Sequence, residues 1–250
     1  MALSLLFLSA MIGASLAGLS LGVDPALVDL NEDPVFEQAL YAWSLPLQAI
    51  LILALVWTLL ARLKSPPAQV LGLTRARNWW AVLLVLPVGL CSDRAVALLR
   101  QLVPDAELGT LGDLARLAGA EGPLGLALIT GLVLWGPLSE EVLFRGFVFR
   151  GLQRDRGTLS AIGFSALLFG LFHLDPFHAV GAGVLGLYLG WLRVVCGSLV
   201  PVVLAHVLNN GVWMALVRSG YPEPVVPWWV DCAGLTVWLA AVWLTRDALR

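Results

Sequence analysis

Charged residues are scarce in this sequence, and lysine is almost absent. Of the 250 residues, 13% are charged and 59% are apolar, whereas soluble globular domains carry about 25% charged residues. Fourteen of the fifteen basic residues are arginine, the exception being Lys64. A mean hydropathy of +0.87 excludes a soluble globular protein, because the core of a soluble chain of this length could not bury so much apolar surface. The net charge of −2 gives no basic surface, so we expect no nucleic-acid partner.

Cysteine is also sparse, and the three residues are widely separated in the sequence. Cys91, Cys196 and Cys232 lie within or at the edge of apolar runs. This spacing indicates neither a disulfide framework nor a thiolate metal site. We expect buried free thiols that behave as small apolar side chains.

Long apolar runs make up most of the chain. A transmembrane helix needs about 20 mostly apolar residues, and eight runs are close to that length. They are 3–22, 39–62, 79–100, 123–150, 158–175, 177–195, 198–218 and 226–245. The sequence therefore predicts an all-α fold, a polytopic transmembrane helical bundle of about eight spans. The first run has no basic residue before it, which favours a retained first span over a cleaved leader.

Arginine placement predicts the orientation of the bundle, since basic residues concentrate on the cytoplasmic side of membrane proteins. With the N-terminus inside, both termini are cytoplasmic and the acidic segment 101–122 is an external loop. Ten basic residues then lie at inner ends of spans, and four at outer ends. The inner set is Arg62, Lys64, Arg75, Arg77, Arg150, Arg154, Arg156, Arg193, Arg246 and Arg250, and the outer set is Arg94, Arg100, Arg116 and Arg218. With a composition typical of a GC-rich gene, this predicts an integral protein of a bacterial inner membrane.

The fourth run contains three charged side chains within six positions of the stretch WGPLSEEVLFRGFVFRG (Trp135–Gly151). They are Glu140, Glu141 and Arg145. Ionised groups at that depth cost roughly 2.5–3.5 kcal/mol each on insertion scales, so they indicate a function or a compensating pair. Glu141 and Arg145 are four residues apart and are able to neutralise each other on one helix face. That pairing leaves Glu140 without a partner.

Two further runs hold polar residues that are candidates for the same site. His173 lies in the fifth run, one turn after Phe169, and His206 and Asn210 share one face of the seventh helix. Counting 1.5 Å per residue from the inner ends places Glu140 and these three polar residues about 12–22 Å deep, in one layer. Hydrogen bonding between helices explains each residue taken alone, but a common depth favours a single site.

Such a set of side chains suits the hydrolysis of an amide. A glutamate beside a histidine takes a proton from water and returns it to the leaving amine, and a histidine with an asparagine donates hydrogen bonds to an oxyanion. Alternatively, Glu140, His173 and His206 form a three-ligand site for catalytic zinc. A serine or cysteine triad is not indicated, because no intramembrane aspartate supports one.

Three short motifs carry a family resemblance. The stretch EEVLFR (Glu140–Arg145) fits an EExxxR motif, FGLFH (Phe169–His173) fits FxxxH, and HVLNN (His206–Asn210) fits HxxxN. In this order and on separate helices, they resemble the CPBP family of CAAX proteases and bacteriocin-processing enzymes, over about residues 123–215. Eukaryotic-type CAAX proteases continue the second motif as FxxxHxxxN, whereas this chain has Phe177 there, which weakens the expectation of a prenylated substrate.

The resemblance implies an intramembrane endopeptidase with four catalytic residues and three supporting ones. Glu140 and His173 would activate water, and His206 and Asn210 would bind the oxyanion. The supporting residues are Glu141, Arg145 and Phe169. We expect three parts of the chain: N-terminal transmembrane helices with the external loop (1–122), a catalytic four-helix core (123–218) and a C-terminal transmembrane helix (219–250).

Two mechanisms and two other functions were weighed against this expectation. A metal-free glutamate mechanism without a cofactor is favoured over a zinc-dependent one, because a fixed His–Asn pair suits an oxyanion site better than a ligand set. A non-catalytic membrane scaffold or immunity-type protein on the same fold is the alternative function. A proton-coupled transporter is disfavoured because internal repeats are absent. The expected partners are the lipid bilayer and a membrane-associated protein or peptide substrate. That substrate is a prenylated tail, a bacteriocin leader or a C-terminal sorting signal, and the sequence selects none of them.

Overall fold

The chain folds into helices joined by short turns. The computed structural model describes residues 2–28, 33–103, 117, 119, 121–219 and 227–249, and no strand occurs among them. This confirms the all-α fold. The helices are α1 (Ala2–Leu21), α2 (Pro34–Leu60), α3 (Pro67–Leu71), α4 (Val85–Leu102), α5 (Gly122–Arg156), α6 (Thr158–Phe172), α7 (Pro176–Cys196), α8 (Val200–Arg218) and α9 (Trp228–Leu244). Short 3-10 turns cover Pro25–Leu27, Trp79–Leu84 and Arg246–Leu249.

Six segments of the described chain are long and apolar enough to cross a membrane. They are Ser4–Leu21, Pro34–Leu60, Trp79–Leu102, Gly122–Arg156, Pro176–Cys196 and Val200–Arg218. The apolar helices α6 and α9 have 15 and 17 residues, and their rise of about 22–26 Å is less than the hydrocarbon thickness of about 30 Å. The polytopic bundle is therefore confirmed, while the count of eight spans stays a prediction.

The predicted fifth span, 158–175, ends early at a sharp turn. The last helical residue of α6 is Phe172, and Leu174 has a φ of 58°, a value that leucine rarely adopts. Asp175 is extended, as expected for a residue that precedes a proline. Its carboxylate accepts from the backbone N–H of His178 at 2.7 Å and caps α7. The turn places the end of α6 beside the start of α7.

Glycines allow α6 and α7 to pack closely. A Cβ atom added to Gly170 would lie 2.6 Å from the carbonyl oxygen of Ala179, and one added to Gly186 would lie 3.1 Å from Cα of Ala166. Small residues of this kind let transmembrane helices approach each other. Of the six spanning segments, α7 is the most deeply buried; it packs against α4, α6 and α8. The backbone of α7 is thus brought within reach of the site.

Parts of the sequence-based organisation fall outside the described residues. The predicted external loop 101–122 includes residues 104–116, 118 and 120, which the structure does not describe, and the same holds for residues 220–226. The division into three parts and the cytoplasmic termini therefore stay predictions.

Candidate active site

Helix α5 is irregular because Pro137 interrupts its hydrogen bonding. The backbone N–H of Gly136 donates to the carbonyl oxygen of Gly131, five residues back, in a π-helical turn. Pro137 has no N–H, so the carbonyl oxygen of Leu132 receives neither of the donors that an α-turn or a π-turn would supply. It accepts instead from Nδ2 of Asn210 on α8, at 3.0 Å. The irregularity of α5 thus anchors the asparagine of the third motif.

The two adjacent glutamates of α5 lie in different surroundings. Successive residues of a helix point in different directions, and a second π-helical turn, Val142–Val148, follows directly. The side chain of Glu141 is fully buried, whereas that of Glu140 is 13% exposed. Turns of this type are rare and frequently occur at functional sites. The two adjacent glutamates therefore differ in burial, although their side chains are chemically identical.

Glu141 forms the buried ion pair that its spacing to Arg145 allows. Nη1 of Arg145 donates to Oε1 of Glu141 at 3.0 Å, and both side chains have no exposed surface. Nη2 of Arg145 donates to the carbonyl oxygen of Gly186 on α7 at 3.1 Å. Its guanidinium also lies over the ring of Phe169 on α6, 4.3 Å from the centroid. One charged pair therefore holds α5 against both α6 and α7.

His206 connects this ion pair to the second carboxylate. Its Nδ1 is 2.9 Å from Oε1 of Glu141, and its Nε2 is 3.9 Å from Oε2 of Glu140. An ionised carboxylate only accepts hydrogen bonds, so Nδ1 of His206 is the donor in the shorter contact. The ring is 3% exposed and packs edge-on against Phe169, with centroids 5.7 Å apart. Nε2 is then the ring nitrogen that faces Glu140.

A cavity of about 670 Å³ lies at the centre of these helices. Glu140, His173, His206 and Asn210 all line it, whereas Glu141 and Arg145 are not among its lining residues. The sequence placed the first four residues in one layer, and the structure brings them to one cavity. The two members of the ion pair lie behind its wall.

His173 occupies the end of α6 rather than the interior of a span. Its Nδ1 is 2.8 Å from the carbonyl oxygen of Phe169, and a carbonyl oxygen only accepts hydrogen bonds. Nδ1 therefore carries the hydrogen, and Nε2 is left as an acceptor. The ring also contacts Phe169 edge-on, with centroids 5.0 Å apart. The phenylalanine of the FxxxH motif thus holds the histidine by its backbone and its ring.

Among the described residues, Asn210 has no second acceptor for its amide N–H groups after its contact with α5. An amide nitrogen has two hydrogens, and the bond to the carbonyl oxygen of Leu132 uses one of them. Oδ1 of Asn210 accepts from Nδ2 of Asn209 at 3.2 Å, which orients the amide. The second N–H belongs to a side chain that lines the cavity.

The comparisons with known proteins place this part of the chain in a family. Residues 122–212 match a family model described as Type II CAAX prenyl endopeptidase Rce1-like. This segment belongs to the Rce1-like family. The Rce1-like segment begins with α5, contains all three motifs and ends two residues after Asn210, so the resemblance drawn from the motifs is confirmed. The family implies a membrane endopeptidase. Searches of the curated proteins and of the solved structures found no match.

The sequence analysis missed one histidine of the Rce1-like segment. His178 was not among the expected site residues; it belongs to the first turn of α7 and lines the cavity. Its ring lies 4.0 Å from that of His173, centroid to centroid. The sequence does indicate that a helix begins before His178, because Asp175 followed by Pro176 is a typical helix start. The neighbouring Phe177, which replaces the asparagine of the longer motif, is 1% exposed.

Asp93 and Asp231 stand in the predicted spans 79–100 and 226–245, and both line the cavity. Nε of Arg94 donates to Oδ2 of Asp231 at 2.6 Å, which ties α4 to α9. Asp231 thus pairs with an arginine of another helix. The negative charge of Asp231 is tolerated within a predicted span because another helix supplies its positively charged partner.

The zinc alternative requires three ligands that converge on one point at about 2.0–2.2 Å each. Within the described ranges, no group of three or more His, Cys, Asp or Glu side chains is placed to hold a metal ion. The set Glu140, His173 and His206 therefore lines a cavity without forming a ligand set in this geometry.

Proposed function

We propose that this protein is an intramembrane endopeptidase that uses a glutamate-activated water to cleave a peptide bond of a membrane-associated substrate. The observation that carries the proposal is the common cavity of Glu140, His173, His206 and Asn210, within a segment of a family of endopeptidases. A structural role alone does not require four such side chains at one cavity. After the hydrogen bonds described above, the carboxylate of Glu140, Nε2 of His173 and one N–H of Asn210 are available to a substrate.

In the proposed reaction, Glu140 and Nε2 of His173 hold the attacking water. Glu140 accepts a proton from the water as its oxygen bonds to the carbonyl carbon of the substrate. The carbonyl oxygen becomes an oxyanion, which accepts hydrogen bonds from the free N–H of Asn210 and from Nε2–H of His206 as an imidazolium. Glu140 then returns the proton to the amide nitrogen as the C–N bond breaks. The products are a carboxylic acid and an amine.

Glu141 has a different part in this proposal. Its Oε1 accepts from Nδ1 of His206 and from Arg145, so it orients the imidazole as the aspartate of a hydrolytic triad does. The neighbouring negative charge also stabilises the protonated ring that binds the oxyanion. Arg145 in turn fixes Glu141 between α5 and α7. We therefore assign Glu141, Arg145 and Phe169 to positioning.

Helices outside the Rce1-like segment are proposed to select the substrate. Leu6 of α1, Tyr41 and Leu45 of α2, and Ser92 and Asp93 of α4 also line the cavity. Their mainly apolar surface suits a peptide that is held at a membrane. A prenylated tail, a bacteriocin leader and a C-terminal sorting signal all fit that description.

A comparison of protein termini tests the proposed function. Membrane proteins would be compared in cells that carry the gene, cells that lack it, and cells complemented with the Glu140→Gln variant. We expect new C-termini and N-termini in the first cells that are absent from the other two. Identical termini in all three would contradict the proposal and favour a non-catalytic scaffold or immunity-type protein.

Metal removal separates the glutamate mechanism from the zinc-dependent one. We expect the purified protein to keep full activity after exhaustive chelation, because the proposed reaction uses protein groups and water. The measurement is turnover together with zinc content, with a non-chelating isomer of the chelator as the control reagent. One equivalent of zinc, with activity lost on chelation and restored by zinc, would overturn the metal-free mechanism.

Substitution of Asn210 tests the oxyanion site. Loss of one such donor typically lowers kcat by about 10²–10³-fold, and we expect this for both Asn210→Ala and Asn210→Asp. The side chain of aspartate has nearly the same shape as that of asparagine, but it cannot donate a hydrogen bond when ionised. KM should therefore change much less than kcat. Turnover is measured beside thermal unfolding of each variant. A folded Asn210→Asp protein with wild-type kcat would exclude the oxyanion role.

A further inference from the structure

A second group of charged residues lies at the end of the bundle where α7 passes into α8. The segment between α2 and α4 runs across this turn and is hydrogen-bonded to it. The backbone N–H of Arg77 donates to the carbonyl oxygen of Cys196, and that of Leu199 donates to the carbonyl oxygen of Gly72, both at 3.0 Å. These bonds fix the segment against the last turn of α7. Arg193 belongs to that turn.

Arg193 is a buried cation without an acidic partner. The residue is 5% exposed, and its buried Nε has no hydrogen-bond partner. Among the described residues it forms no ion pair with an aspartate or a glutamate, and the charged side chain within electrostatic range is Arg150, which has the same sign. Burying an unpaired charge is costly. A bound anion would offset this cost.

The guanidinium of Arg193 packs against the backbone of the segment between α2 and α4. Gly72 has a φ of 71°, and a Cβ atom added there would collide with Nη2 of Arg193. The guanidinium therefore lies directly against the backbone of Gly72. On the other side of the turn, Nη2 of Arg77 is 3.7 Å from the position that a Cβ of Gly197 would take. Two arginines thus flank one short turn, and Arg150 of α5 lies close by.

We propose that Arg193, Arg77 and Arg150 bind a phosphate group, supplied by the headgroup of a phospholipid. Guanidinium groups recognise phosphate oxygens through paired, charge-assisted hydrogen bonds. The site lies where α5 and α7 end and α8 begins, which is the depth of lipid headgroups for helices that span a bilayer. The bound phosphate neutralises Arg193 and holds the segment between α2 and α4 against α7.

The experiment uses the full-length protein in detergent, stripped of lipid. It measures lipid retention by native mass spectrometry and thermal unfolding. The probes are phosphatidylglycerol, an uncharged glycolipid with the same acyl chains, and inorganic phosphate. We expect one retained phosphatidylglycerol, no retained glycolipid, and at least tenfold weaker binding of phosphatidylglycerol by Arg193→Gln. The matched control is Arg246→Gln, an exposed arginine at the same end of the bundle, where Trp191 donates to Thr245; it should bind as the wild type does.

Thermal unfolding in the two lipids distinguishes loss of the phosphate site from a general destabilisation of the fold. In phosphatidylglycerol, Arg193→Gln should unfold at a lower temperature than the wild type. In the glycolipid the order should reverse, because glutamine removes an uncompensated buried charge. Competition by millimolar inorganic phosphate would assign the site to free phosphate rather than to a headgroup and overturn the lipid assignment. Equal retention of both lipids, or wild-type binding by Arg193→Gln and by Arg77→Gln, would overturn the phosphate site itself.

Discussion

Replacement of Glu140 by glutamine is expected to abolish hydrolysis while the protein stays folded. Glutamine keeps the shape of the side chain but cannot take a proton from water or return one to the leaving amine. General acid–base catalysis contributes about 10²–10⁴-fold to a rate, and Glu140 serves in both steps, so kcat should fall by at least this factor. Stability should change little, because Glu140 lines the cavity and forms no ion pair with an arginine of the described part of the chain.

Turnover of a reconstituted substrate and thermal unfolding in detergent measure the two parts of this prediction. Glu121→Gln is the matched control, since Glu121 is exposed just before α5 begins and should retain wild-type turnover. An active Glu140→Gln protein, combined with an inactive but fully folded Glu141→Gln protein, would show that the two glutamates have exchanged roles.

Replacement of Arg145 by methionine is expected to destabilise the fold by roughly 3–5 kcal/mol, the cost of leaving one member of a buried ion pair without its partner. The carboxylate of Glu141 would stay fully buried without the guanidinium beside it, and the bond to the carbonyl oxygen of Gly186 would be lost. Activity should fall as well, because the position of His206 depends on Glu141.

A double variant separates the charge from the packing. Glu141→Gln combined with Arg145→Met leaves no unpaired charge, so it should recover much of the stability that Arg145→Met loses. Its turnover should stay low, because a neutral amide no longer stabilises a protonated His206. Arg154→Met, on the same helix in a solvent-exposed pair with Asp155, is the control and should change stability little. If the double variant were no more stable than Arg145→Met, buried charge would not explain the loss.

Much of the site followed from local patterns in the sequence. The spacing of Glu141 and Arg145 allowed an ion pair, and the structure contains it. The four predicted catalytic residues, which come from three helices, were expected at one depth, and they line one cavity. Such features are encoded in the chain, because helical spacing relates sequence separation to direction and depth. The same counting overestimated the length of the fifth span, since it did not anticipate the positive φ of Leu174.

Contacts between helices could not be predicted from helical spacing. His178 reaches His173 because a sharp turn brings the start of α7 beside the end of α6. Asp231 is neutralised by Arg94, 137 positions away in the sequence. Both depend on how helices pack, and a single sequence carries no periodic signal for a partner on another helix.

The sequence by itself determined that this is an all-α membrane protein, because composition and the length of the apolar runs decide this, and its three motifs resemble those of a family of endopeptidases. It also determined the irregularity of α5, since Pro137 lacks the N–H that a regular helix requires. Only the tertiary structure decided which glutamate faces the cavity and which is buried with Arg145. It also decided that Asn210 binds the carbonyl oxygen of Leu132, and that Arg193 is buried with no ion pair to an aspartate or glutamate of the described residues. These outcomes depend on which surfaces of separate helices meet, because a neighbouring helix supplies or withholds the partner of each buried polar group.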